Sequence, residues 1–71
     1  MSDIYYFNDH VDQNGNHEVH TNSCDYLPKV ENRTRIGIYS NCKDAINAAK
    51  SQYPYKQFDG CFWCCRPCHK G

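Results

Sequence analysis

Six cysteines and four histidines fall within a chain of 71 residues that has very little else to hold it together. A chain this short sits near the lower limit at which a hydrophobic core alone sustains a fold. Leu27, four Ile, three Val and three Phe make up the whole Leu/Ile/Val/Phe inventory, 11 positions of 71. Such poverty usually marks disorder. Two features oppose that outcome here. The formal net charge is zero, and ten aromatic side chains are available for burial. A staple is still required, and the choices are disulfides, a metal ion or an oligomer. The Cys and His content points to the first two.

Redox setting separates these two. Met1-Ser-Asp-Ile-Tyr-Tyr-Phe7 lacks the basic start, apolar run and small-residue cleavage site of a secretory signal. No apolar stretch is long enough for a membrane helix. These features lead to the expectation of a cytoplasmic protein, where thiols stay reduced and clustered Cys bind metal. Zinc is the expected cofactor, with disulfide stapling as the structural rival.

Secondary structure is legible in three places. Ile4-Tyr5-Tyr6-Phe7 reads as an aromatic strand and His17-Glu18-Val19-His20 as its returning partner. Asp12-Gln13-Asn14-Gly15-Asn16 lies between them as a turn. Thr34–Tyr39 is a third strand candidate. Ser40 or Asn41 can cap a helix with Asp44 in its first turn. Cys42, Ala45, Ile46, Ala49 and Tyr53 then form one apolar stripe at helical spacing, and Pro54 closes the element. The remaining segment, from Asp59 to His69, is a dense thiol cluster with little expected regular structure. The predicted fold class is α+β: a small antiparallel sheet of about three strands with one helix, stapled by zinc, in a single domain over residues 1–71.

The chemistry lies in the thiols. Cys61-x2-Cys64 is a zinc-knuckle spacing, because two intervening residues let the backbone turn both sulfurs toward one ion. His20-x3-Cys24 supplies a second half-site. Pairs so far apart in sequence would tie the hairpin to the C-terminus. The predicted ligands are therefore His20, Cys24, Cys61 and Cys64. Cys42, Cys68, His69 and His17 remain rivals for the fourth place. Cys42 sits on the helix stripe, where filling the core is the simpler role. His17 and His20, three apart on a strand, point to opposite faces. Cys65 is read as a passenger, since two adjacent cysteines do not both turn toward one ion. Cys65-Arg-Pro-Cys68 has the spacing of a redox dithiol but lacks a following helix to activate it. His17-Glu-Val-His20 lacks the helical i, i+4 spacing of a metalloprotease.

Charge is uneven along the chain. Residues 1–25 hold five acids and no Lys or Arg, whereas residues 26–71 hold all eight bases and three acids. Aromatic and basic residues interleave from Lys50 to Lys70, the composition of a nucleic-acid stacking platform. A near-neutral chain with few aliphatics has competing uses for those aromatics in its core.

The chain resembles a group of short bacterial proteins of uncharacterised role. The shared features are Tyr5-Tyr6-Phe7, His17-Glu-Val-His20-x3-Cys24, Tyr26-Leu27-Pro28, Ser40-Asn41-Cys42, Ala45, Asp59-Gly60-Cys61-x2-Cys64 and Cys68-His69. This resemblance implies a bacterial setting and carries no activity. A looser resemblance is to small zinc modules of H-x3-C, a helix with Ala, then C-x2-C, found alone or appended to bacterial nucleases and DNA-repair proteins. It implies the same four ligands. Together these readings predict a monomeric, non-enzymatic zinc domain with no membrane association. Its partner is expected to be another protein, and nucleic acid is the alternative.

Overall fold

Tyr5 and Phe7 alternate with half-buried neighbours along the first strand, and that alternation sets which face of the sheet becomes the core. The computed structural model describes residues 2–70. In it, β1 (Asp3–Asn8) pairs antiparallel with β2 (His17–Thr21) on one side and β3 (Arg33–Tyr39) on the other. The turn between β1 and β2 forms where expected. Asp12 Oδ1 accepts from the backbone nitrogens of Asn14 and Asn16, and Gly15 takes φ 79°, a left-handed conformation that favours glycine.

The helix, α1 (Cys42–Gln52), begins at Asn41, whose side chain accepts from the Asp44 nitrogen at 2.9 Å. Cys42, Ala45, Ile46 and Ala49 are buried, as their spacing requires. Against them lies an aromatic cluster centred on Phe7. Its ring meets those of His17, Tyr53 and Phe58 edge-on at 5.5, 5.4 and 5.1 Å. His17 belongs to this core. It is buried, with Nδ1 2.8 Å from the Asn8 carbonyl.

The α+β class stands, but the sheet departs from the expected three antiparallel strands. A fourth strand, β4 (Phe58–Gly60), joins the edge of β2 in parallel, giving the order β3-β1-β2-β4. α1 supplies the crossover between the antiparallel strands and this one, which is why a parallel pairing becomes possible. At three residues, β4 is too short to display any periodicity of its own. Its effect on function is positional, because it delivers Cys61 to the end of β2.

Candidate metal centre

Two local devices build the centre. On one side, β2 ends at Thr21 and the chain turns at once, with the Cys24 nitrogen bonded to the Thr21 carbonyl at 3.2 Å. This folds Cys24 back toward His20. On the other side, the Cys61 nitrogen donates to the Val19 carbonyl at 2.9 Å, continuing the β2–β4 ladder by one residue. The Cys65 nitrogen then bonds the Cys61 carbonyl at 2.9 Å, a turn that returns Cys64 to the same place. Both half-sites therefore hang from one strand.

Gly60 permits this approach. A Cβ at that position would lie 2.6 Å from the Cys65 carbonyl oxygen and 2.8 Å from Cys68 Cβ. No side chain fits there without moving backbone.

The result is a group of four ligand atoms, from His20, Cys24, Cys61 and Cys64, all within 4.8 Å of one another. His20 Nδ1 is 3.6 Å from Cys24 Sγ and 3.9 Å from Cys64 Sγ, and Cys24 Sγ is 3.9 Å from Cys61 Sγ. Zinc–sulfur bonds of about 2.3 Å in a tetrahedron set sulfur atoms about 3.8 Å apart. These separations are close to that edge. His20 and Cys61 are almost wholly buried, while Cys24 and Cys64 are half-buried. The group can hold a metal ion.

Its electrostatics are those of a site short of positive charge. Burial pushes the Cys61 thiol up to about 12. It also raises Cys24 and lowers His20, keeping the imidazole neutral. Cys64 is raised first by its hydrogen bond with Cys65 and then by burial. That same bond lowers Cys65. A divalent cation among the sulfurs reverses this balance, since a coordinated thiol is deprotonated. The Thr21 nitrogen, 3.4 Å from Cys64 Sγ, is placed to donate to a thiolate there.

His20 turns Nδ1 toward the sulfurs, leaving Nε2 to face Glu18 Oε1 at 3.5 Å. Nε2 is buried and makes no hydrogen bond. The distance is longer than a formed bond, but the carboxylate lies on the side where a metal-ligating imidazole carries its proton. Glu18 and His20 are two apart on β2, so they share a face. Strand periodicity, which puts Glu18 and His20 on one face, is the sequence signal for this orienting role.

The structure accounts for the rival ligands. Cys42 and Cys68 form a disulfide with each other, so Cys42 is not a free thiol filling the core. Its buried stripe position faces the returning C-terminal segment, which sequence spacing alone does not locate. His69 Nδ1 lies 2.9 Å from the Gly60 carbonyl and 3.6 Å from Asp59 Oδ2. Cys65 lies outside the ligand group, as expected, and is a free thiol only 1% exposed, packed in the core. Zinc and disulfide were posed as rival staples, yet the fold has room for both on different residues.

Among the described residues, no helix is long and apolar enough to cross a membrane. Comparison of the chain with protein-family models, curated proteins and solved structures finds no match.

Proposed function

We propose that this chain is a structural zinc domain serving as a protein-interaction or accessory module, with His20, Cys24, Cys61 and Cys64 as ligands. The observation that carries this reading is the convergence of those four ligand atoms on one point from two distant segments. Three sulfurs and one nitrogen suit zinc, and four protein ligands leave no open position for catalysis. Metal binding of this kind contributes about 10–16 kcal/mol, enough to offset a thin core. The reading includes a bacterial cytoplasmic setting, with the Cys42–Cys68 disulfide as a second staple on other residues.

Zinc content and intact mass, measured under native and denaturing conditions, test this reading. One zinc per folded chain is expected, lost together with amide dispersion when chelator and reductant act together. A spectrum that stays dispersed in both would overturn it.

One observation favours a second reading as a nucleic-acid binder. Tyr26 and Trp63 stack at 5.6 Å, Phe62 abuts Trp63 at 4.9 Å, and the Arg66 guanidinium lies over Phe62 at 4.8 Å. All three rings are exposed, so this chain does not spend them in its core. Stacking of bases on such rings is sequence-tolerant and falls with salt. Trp63 is the sole tryptophan. Quenching of its fluorescence by single-stranded DNA, reversed by salt, would favour this reading, and no quenching would remove it.

A further inference from the structure

A second surface lies away from the thiol cluster, between α1 and the turn that closes the chain. A cleft of about 530 Å³ opens there. Its floor is apolar: Ile46, Phe58, Pro67 and the Cys42–Cys68 disulfide. Lys43, Lys50 and Lys70 border it. An adjoining hollow of about 480 Å³ shares Lys50, Phe58 and Lys70 and adds Lys56. The two form one groove carrying half of the chain's eight bases.

The acids of this groove are occupied internally. Asp59 is buried, accepts from the Lys70 backbone nitrogen at 2.7 Å and faces His69. Asp44, exposed at the start of α1, accepts from Asn41 Nδ2 at 3.3 Å, and its backbone nitrogen donates to Asn41 Oδ1. Among the described residues Lys43, Lys50 and Lys70 have no carboxylate partner, and the Lys56 ammonium lies over the Tyr55 ring at 5.5 Å. Four cations around an apolar floor are complementary to a ligand that alternates carboxylates with apolar side chains. An extended peptide has that geometry, since successive side chains point to opposite sides. Single-stranded nucleic acid fits less well. Phe58, the one aromatic ring lining the groove, is 7% exposed and packed edge-on against Phe7, so no ring face is free for a base.

We infer that this groove binds an extended acidic peptide segment, its apolar side chains on the floor and its carboxylates on Lys43, Lys50, Lys56 and Lys70. The inference rests on the reading of the chain as an interaction module and names that module's partner class.

The test uses the full zinc-loaded chain and a short labelled peptide of alternating Glu and Leu, followed by fluorescence anisotropy. Alternating Lys and Leu, alternating Glu and Ser, and a thymidine oligonucleotide serve as comparison probes. The Glu–Leu peptide should bind at least tenfold more tightly than either peptide control. Lys50→Glu combined with Lys70→Glu should weaken it about tenfold, because like charges then face its carboxylates. Both side chains are exposed and neither touches the metal cluster, so zinc content and amide dispersion should stay unchanged. Zinc content also separates the two readings: its failure strikes the structural-zinc proposal, whereas unaltered zinc with no peptide binding strikes only the groove. Equal binding of the Glu–Leu and Lys–Leu peptides would overturn the inference. So would retention of affinity after charge reversal, or displacement of the peptide by the oligonucleotide.

Discussion

The backbone nitrogen of Thr21 stands 3.4 Å from Cys64 Sγ, so the strand that presents His20 also reaches the thiol from the far end of the chain. With Cys61 bonded to Val19, three consecutive β2 neighbours (Val19, His20 and Thr21) contact the C-terminal knuckle. The centre and the β2–β4 pairing are therefore one structural unit. Losing either should release the other.

This coupling sets the outcome of ligand removal. Cys24→Ser, Cys61→Ser, Cys64→Ser and His20→Ala should each lose zinc and amide dispersion, since three ligands do not close a structural site. Cys65→Ser should retain one zinc but cost about 1–3 kcal/mol, because a hydroxyl replaces a thiol that is 1% exposed. Zinc content measured beside thermal unfolding distinguishes the two classes. Full zinc in His20→Ala would remove the histidine from the set.

Glu18 should tune affinity without being a ligand. Its carboxylate faces His20 Nε2 at 3.5 Å, and closing that distance would fix the tautomer with Nδ1 free for metal. Loss of such an orienting group typically weakens metal binding 10–100-fold. Glu18→Gln should do so in a chelator competition while leaving the stoichiometry and the spectrum of the zinc-loaded protein intact. Unchanged affinity would mark Glu18 as an ordinary surface acid.

Much of this centre was legible because the x2 and x3 spacings are local, and local turns decide whether two neighbouring side chains converge. Pairing the half-sites followed from the hairpin ending at His20. What could not be read was non-local. Cys42 satisfies the helix stripe equally well as a buried thiol or as half of a disulfide, and only the return path of Arg66–Cys68 decides between them. β4 went unread because it is only three residues long and pairs with β2 across the helix. Glu18 was readable from strand alternation.

The disulfide should add stability without touching the metal. Cys42 and Cys68 are 26 apart in sequence, and closing a loop of that length removes unfolded-state entropy worth about 3.5 kcal/mol. Cys42→Ala, paired with Cys68→Ala to avoid a stray thiol, should lower stability by roughly that amount. Zinc stoichiometry should be unchanged. Denaturant unfolding of the zinc-loaded protein, with and without reductant, should show the same loss in the wild type and none in the double variant. A loss of zinc in the double variant would show that the two staples depend on each other.

Gly60 offers the sharpest test of how the knuckle reaches β2. An alanine Cβ there would stand 2.6 Å from the Cys65 carbonyl oxygen and 2.9 Å from the Cys68 carbonyl carbon, both backbone atoms that cannot rotate away. The knuckle must then move outward. That motion lengthens the Cys61–Val19 hydrogen bond and spreads the sulfurs from His20 Nδ1. Overpacking of this kind costs about 1–3 kcal/mol, and the strain falls on the metal geometry, so zinc affinity should drop along with stability. Gly15→Ala is the control: its Cβ would meet nothing within 4 Å, but its φ of 79° disfavours a side chain. It should cost about 1 kcal/mol through the backbone alone and leave zinc affinity unchanged. Chelator competition on both variants separates the effects. If Gly60→Ala binds zinc as the wild type does, the close approach at Gly60 is not what positions the thiols.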